Sequence, residues 1–307
     1  MRRVTAALVL AVVLVPASAA AGAELDELLD ESREASYSAE QVISCSTPDG
    51  VRDAVVSLSQ SGGELHVAAP VDPDVEVSSG YGGWALVREG SVVSSTNVQG
   101  TDAAPDPRYT VDDGSPIEFL GREAISYQMM GDGEVRAELV VDAEIGALLR
   151  VATFVGDGDL YCERKFISFD PEPPALAQAS AESDVEITVT VVESDLPEEL
   201  AGFERLDVYE DEEGFVFAYY SDGFFSFAVF QTPAVVALDS SSAAVFGGQT
   251  YARSFSPGQV AMAWETRTGG MALVGDLPPD MHEPVLAGLP APEDPGLFRR
   301  LWRNLFG

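Results

Sequence analysis

One lysine, two histidines and two cysteines are all that this chain of 307 residues holds of three residue types that often carry metal, nucleophilic or anion-binding chemistry. Lysine and arginine together number 17 against 51 acids, for a formal net charge of -34, and Lys165 is the lone lysine. A field of that sign repels nucleic acid and anionic membrane surfaces, so nucleic acid is not an expected partner. The acidity itself reads as a device for solubility. His66 and His282 stand far apart, with no H-x-x-H or C-x-x-C spacing, so no metal site is expected. Apolar runs are short as well. Val4–Val15 falls below the ~18 residues that a membrane span needs.

Catalytic signatures are missing too. The sequence has no G-x-S-x-G, H-E-x-x-H, Walker or G-x-G-x-x-G pattern. Gly80-Tyr81-Gly82-Gly83 lacks a following P-loop lysine and reads as a turn. Gly156-Asp157-Gly158-Asp159 begins like a calcium loop, but Tyr161, Cys162 and Ser168 then stand where ligands and the obligatory glycine belong. It reads as a hairpin turn. Carboxylates are so abundant that no pair of them stands out as an acid/base couple. No catalytic residue and no cofactor is expected.

What is present begins with a leader. Arg2 and Arg3 precede the apolar run, and Ala17-Ser18-Ala19 offers a cleavage site, so residues 1–22 read as a signal peptide. The mature chain is therefore expected outside the cytoplasmic membrane, in the periplasm or cell envelope. In an oxidising compartment Cys45 and Cys162 most simply form a disulfide; two buried free thiols are the alternative.

Residues 23–36 (AELDELLDESREAS) place Leu25, Leu28 and Leu29 at helical spacing with acids on the other face. Short alternating runs follow: Tyr37–Ser46, Ala54–Leu58, Glu64–Ala68, Gly83–Val87, Val92–Asn97, Ile117–Phe119, Ala124–Met129, Arg136–Val141, Leu148–Phe154 and Tyr161–Phe169. Many short strands and one helix predict a curved antiparallel sheet wrapped around that helix, over 23–170. The Pro-, Ala- and Ser-rich stretch over 171–184 reads as a linker.

A smaller α+β unit is expected over 185–290. Glu186–Val192 alternates as a strand, and LPEELAG (196–202) reads as a turn or short helix. Further strands are expected at Phe203–Tyr209, Gly214–Tyr220, Phe224–Phe230, Ala243–Ser254, Gln259–Thr266 and Gly270–Gly275, and a closing helix at Pro279–Leu289. Asp222-Gly223 suits a type I′ turn between Gly214–Tyr220 and Phe224–Phe230. The aromatics of this hairpin exceed what one inward face holds, which leaves Tyr220, Phe224 and Phe230 as a candidate surplus. The last segment, 291–307, ends in LFRRLWRNLFG, where Arg299, Arg300 and Arg303 alternate with Leu297, Phe298, Leu301, Trp302, Leu305 and Phe306. This is a basic amphipathic pattern. Two readings stay open: contact with a membrane through Arg299, Arg300, Trp302, Arg303 and Phe306, or packing on the chain's own acidic body.

Tyr220-Ser221-Asp222-Gly223, followed by a strand ending Ala228-Val229-Phe230, resembles the YSDG block of the RseB/MucB regulators of extracytoplasmic sigma-factor signalling. Gly121-Arg122 before a strand, Val141–Leu149 (VDAEIGALL) in place of an LD-x-x-TG-LL turn, and Val274-Gly275-Asp276-Leu277-Pro278 as VG-x-x-P are similar features. The resemblance runs over roughly 35–290 by order of elements. It implies a first domain like the LolA/LolB lipoprotein carriers, a half-open antiparallel barrel cupped over a helix, and a smaller α+β second domain. It also implies a non-catalytic role: binding the extracytoplasmic part of a membrane anti-sigma factor and shielding it from proteolysis, with lipid relieving the block. Acidity and the basic tail depart from that family's pattern. On this reading Tyr220, Phe224 and Phe230 are candidate partner contacts. The alternative is a carrier of lipid or lipoprotein acyl chains, held by Trp84, Tyr127 and Phe154 on the concave face of the first domain. A third reading is a secreted structural protein without a ligand.

Overall fold

In the computed structural model the described residues are 35–48, 50–61, 108–156, 158–171, 194–210, 215–233, 237–238, 241–256 and 258–293. The backbone of the strands over 64–68, 75–80, 83–88, 91–96 and 190–191 is described as well. The leader, the helix expected over 23–36, all but the first residue of the linker, the Trp84 side chain and the tail over 297–307 lie outside the described residues. The chain divides into two compact units, one ending at Thr188 and the other running from Val189.

The first unit is one antiparallel sheet. Its strands are β1 (Tyr37–Thr47), β2 (Gly50–Ser61), β3 (Glu64–Ala68), β4 (Val75–Gly80), β5 (Gly83–Arg88), β6 (Ser91–Thr96), β7 (Tyr109–Val111), β8 (Ser115–Phe119), β9 (Arg122–Gly131), β10 (Glu134–Asp142), β11 (Leu148–Val155) and β12 (Asp159–Asp170). Their order is β6-β5-β4-β3-β2-β1-β12-β11-β10-β9-β7, with β8 also paired to β9. Paired strands are neighbours in sequence except at β7–β9, which skips β8, and at β1–β12, which joins the two halves. The sheet does not close: β6 and β7 end it, giving a half-open antiparallel barrel.

Alternation sorts its side chains into two faces. Register aligns Tyr127, Leu139, Val151, Arg164 and Ile43 in one row. All but Arg164 are buried, so this is the inner face. The next row reads Gln128, Glu138, Ala152, Glu163, Ser44 and Asp53, and it faces outward. There Arg150 bridges Glu138 at 2.7 Å and Glu163 at 2.8 Å, while Lys165 reaches Glu163 at 2.7 Å. The single lysine thus works on the outer face. Burial would raise the Glu163 carboxyl, but hydrogen bonds from Lys165 and Arg150 outweigh it and hold the group below its ordinary value.

Cys45 on β1 lies directly opposite Cys162 on β12, and their sulfurs are bonded. This link falls at the one long-range strand pair of the unit. At the opposite end of this strand pair, Tyr37, Phe166 and Phe169 cluster with ring centroids 5.5–6.0 Å apart, and the Tyr37 hydroxyl donates to Gln60.

The second unit contains β13 (Thr190–Val191), β14 (Glu199–Leu200), β15 (Phe203–Glu210), β16 (Val216–Ser221), β17 (Ser226–Thr232), β18 (Ser242–Phe246), β19 (Gln249–Ser256), β20 (Gln259–Glu265) and β21 (Gly270–Gly275). A 3-10 turn (Pro279–Met281) leads into α1 (His282–Ala287). The sheet order is β13-β15-β16-β17-β21-β20-β19-β18, with β14 paired to β15. LPEELAG is therefore not helical. It runs into a hairpin whose two turn residues, Ala201 (φ 50°) and Gly202 (φ 90°), both take left-handed backbone. Pro284 sits in the first turn of α1, where a backbone N–H has no intrahelical acceptor to lose, and it introduces no break.

Helix α1 covers one face of this sheet. His282 is buried between Phe246 and Phe255, with its Nε2 3.0 Å from the Leu277 carbonyl, and the Trp264 indole donates to the Pro290 carbonyl. Burial pushes the His282 imidazole down to about 4, against the Leu277 carbonyl, which favours the charged ring; Arg253 lowers it further.

Two outcomes are expected. Replacing both cysteines by serine frees the β1–β12 pair in the unfolded chain and lowers stability by about 2–4 kcal/mol, read as a lower urea midpoint. For His282 the unfolded ring titrates near 6.5 and the folded ring near 4, so the unfolded state binds more protons in between. Its contribution is complete above pH 6.5 and falls by roughly 3 kcal/mol as pH drops to 4. With only two histidines in the chain, an NMR titration of the imidazole signals checks this directly: one ring must stay neutral to about pH 4.

Candidate functional site

The motifs that single this chain out converge on turns. Leu120 (φ 51°) and Gly121 (φ 73°) form the two-residue turn between β8 and β9 and deliver Arg122 to the first position of β9. Its guanidinium meets Asp142, at the end of β10, through two bonds: Nε to Oδ2 at 2.5 Å and Nη2 to Oδ1 at 3.2 Å. Asp142 is fully buried. Its Oδ1 also accepts the N–H groups of Glu144 and Ile145, at 3.0 and 3.1 Å. Arg122 further reaches Glu144 at 2.9 Å and lies 5.4 Å from the Phe169 ring centre. The Gly-Arg pair and the VDAEIGALL turn are thus one device. Burial would raise the Asp142 carboxyl, but Arg122 and the two N–H donors overcome it and hold the group below its ordinary value.

The YSDG block is a second such device. Register pairs Ser221 with Ser226, so residues 222–225 make a four-residue loop rather than the expected two-residue turn. Gly223 takes φ 94°, while Asp222 stays outside the left-handed region. Asp222 instead caps the loop: its Oδ1 accepts Phe224 N at 3.0 Å and Phe225 N at 2.8 Å. Ser221 Oγ donates to the Phe225 carbonyl and accepts Gly223 N. Gly275, in the VG-x-x-P stretch, passes so close to β17 that an added Cβ would lie 2.4 Å from Phe227 Cα. Asp276 N then donates to the Ser226 carbonyl.

This geometry corrects the expected partner contacts. Tyr220 is wholly buried, its ring stacked on Phe227 and its hydroxyl donating to the Pro197 carbonyl at 2.7 Å. Phe224 is buried against Phe225. Neither presents a surface, because the capped loop folds both phenylalanines inward. Phe230 remains half-buried on the face opposite α1. There Tyr209, Phe217 and Phe230 lie side by side on β15, β16 and β17, with centroids 5.3 and 5.8 Å apart. Tyr219, 41% exposed, stands in the adjacent row and donates to Ser226 Oγ. Tyr209, Phe217 and Tyr219 escaped the sequence reading. Alternation puts Phe217 and Tyr219 on one face of β16, but which face is outward, and that Tyr209 of β15 joins it, follows only from the register of β15, β16 and β17.

The expected acyl-chain residues do not share a face. Tyr127 is buried on the inner face beside Leu139. Phe154 is three residues from Val151, which puts it on the outer face, half-buried and paired with Leu160. Trp84 occupies a position on β5 opposite Ser79 and Thr96. Arg164, unflagged in the sequence, is the charged member of the inner row. Among the described residues no group of three or more His, Cys, Asp and Glu side chains could hold a metal ion, and no helix is long and apolar enough to cross a membrane.

By sequence the chain matches no protein-family model and no curated protein. Solved structures do resemble it. MucB in the MucA/MucB complex from Pseudomonas aeruginosa is 19% identical with a TM-score of 0.56, covering 89% of this chain and 100% of that one. A crystal structure of MucB alone is 18% identical at TM-score 0.56, covering 87% and 97%. The chain therefore has the fold of MucB over both units, and the resemblance seen in the sequence holds at that level.

The Arg122–Asp142 pair gives a sharp test of the turn device. Arg122→Met leaves a buried carboxylate without its cation and is expected to cost about 3–5 kcal/mol. Glu144→Gln, at a side chain 79% exposed, is expected to change stability by less than about 1 kcal/mol. Urea unfolding of the two variants beside the parent chain measures both.

Proposed function

We propose that this chain is a non-catalytic, extracytoplasmic binding protein that holds the outer part of a membrane anti-sigma factor and shields it from proteolysis, with lipid relieving the block. The observation that supports it most is the match to MucB, seen in complex with MucA, over the full length of that chain and through both units in order. A bonded cysteine pair suits a compartment outside the cytoplasm. The partner surface is the outward side of the second sheet, where Phe217, Tyr219 and Phe230 offer rigid rings with the rest of the sheet as backing. Aromatic anchors of this kind gain contact area at small entropic cost, and a peptide laid across them needs no change in the core.

In-cell crosslinking of the tagged mature chain, followed by mass spectrometry, tests the reading. One dominant partner is expected: a membrane protein whose cytoplasmic part binds a sigma factor. Tyr219→Asp, at an exposed ring, should weaken recovery by about tenfold, or ~1.4 kcal/mol, and leave the melting curve in place. Lipid recovered with no stable protein partner overturns the proposal in favour of a carrier, with the inner face around Tyr127 as its site.

A further inference from the structure

The outward side of the second sheet carries more than three rings. Register continues the row Tyr209, Phe217, Phe230 into Ala272 and Ala263, and the adjacent row Tyr219, Ala228 into Val274 and Ala261. The small residues on β20 and β21 make a shallow floor beside the aromatic ridge of β15–β17. Phe217, Ala228, Phe230, Ala261 and Val274 are half-buried, whereas Tyr209, Ala263 and Ala272 are buried, so the accessible part of the surface is the Tyr219–Ala261 row with Phe217 and Phe230. Helix α1 lies on the other side, with His282 against Phe246 and Phe255. Asp207, opposite Tyr219, and Glu265, two residues beyond Ala263, put acids at two ends of the apolar area.

The described chain ends beside this surface. Glu293 N donates to the Glu265 carbonyl, and Arg267 binds the Glu293 carboxylate at 3.1 Å. After Glu293 come Asp294-Pro295-Gly296, a turn-forming triplet, and then LFRRLWRNLFG. Three extended residues reach about 10 Å. β17 lies two strand spacings from β20, about 10 Å, and β15 lies about 19 Å away. An 11-residue helix measures about 16 Å, so the segment can lie across the sheet from floor to ridge. Charge points the same way. Arg205, Arg253 and Arg267 are the only cationic side chains from Val189 to Glu293, in a stretch dense with acids, whereas 297–307 has three arginines and no acid.

We infer that Leu297–Gly307 docks on the outward face of its own second sheet, with Leu301, Trp302 and Leu305 on the alanine floor and the arginines toward Asp207 and Glu265. The tail is then an intramolecular occupant of the aromatic surface. This inference stands without a protein partner; where the partner reading also holds, tail and partner compete for one surface, and the partner's affinity depends on how tightly the tail sits.

The test uses the full chain with Trp302 replaced by the photo-crosslinking residue p-benzoylphenylalanine, irradiated in the monomeric fraction. Crosslinks are expected within the chain, from position 302 to peptides of β15–β17 and β20–β21, at a yield independent of protein concentration. The triple variant R299E/R300E/R303E should reduce that yield by about tenfold, and salt at 0.5 M should reduce it in the parent. Crosslinks with no preferred segment, crosslinks to the first unit, or a yield that rises with concentration would each overturn the inference. So would a product that forms only with lipid after phosphatidylglycerol vesicles are added. None of these outcomes bears on whether a membrane partner is recovered from cells, so the two readings fail separately.

Discussion

A carboxylate sealed from water needs a counter-charge or several N–H donors, and this chain has few cations to supply. Asp142 meets that demand with Arg122 and two backbone N–H groups, and in doing so joins the β8–β9 turn to the end of β10. Asp222 meets it with backbone N–H groups of the loop it caps. Much of the fold's local geometry follows from these two solutions. One carboxylate sets where β9 begins and β10 ends. The other sets the loop that turns Phe224 and Phe225 into the core. The acids that stay in water, which are most of them, place no such demand.

The chain shares its fold with a protein 19% identical to it. The short motifs that carry the resemblance are places where backbone geometry leaves little choice of residue. Arg122 has a buried anion to face, Gly275 has no room for a Cβ beside Phe227, and Ser221-Asp222-Gly223 satisfies its own loop. None of them touches open solvent as a recognition surface. They identify the scaffold, whereas the contact surface proposed above lies between them, on outward rows of the second sheet.

Strand content and the order of units were legible from alternation, and the turn at VDAEIGALL was legible only through the family resemblance; its link to Arg122 was not. The errors have separate causes. Tyr220 shares the side of Phe227 for either turn length, and reads as surplus only if the odd positions of β16 are assumed to face inward; Phe224 depends on the length of the turn. With two residues in the turn, Phe224 begins a strand; with four, it stays in the loop and folds inward. Phe154 was grouped with Tyr127 although the two stand on different strands, and parity between strands follows from register, which composition does not reveal. Bulges add to this. Between Thr153 and Phe154 the pairing skips Tyr161, so counting by twos along β12 fails at that point.

The imbalance of charge has a structural consequence beyond solubility. At short range it is managed by pairing, as Arg150 and Lys165 do around Glu163. At longer range the repulsion among unpaired acids remains, and salt reduces it only over about a Debye length. A cationic, aromatic-rich segment attached to such a body lowers that repulsion most where acids and apolar surface coincide. The outward side of the second sheet is such a place, with Asp207 and Glu265 beside uncharged rows. Any other ligand for the same rows has to match both properties, and a neutral apolar peptide would meet only one of them. On the proposed docking surface, the acids at its rim would set selectivity and the rings beneath would set how tightly a ligand is held.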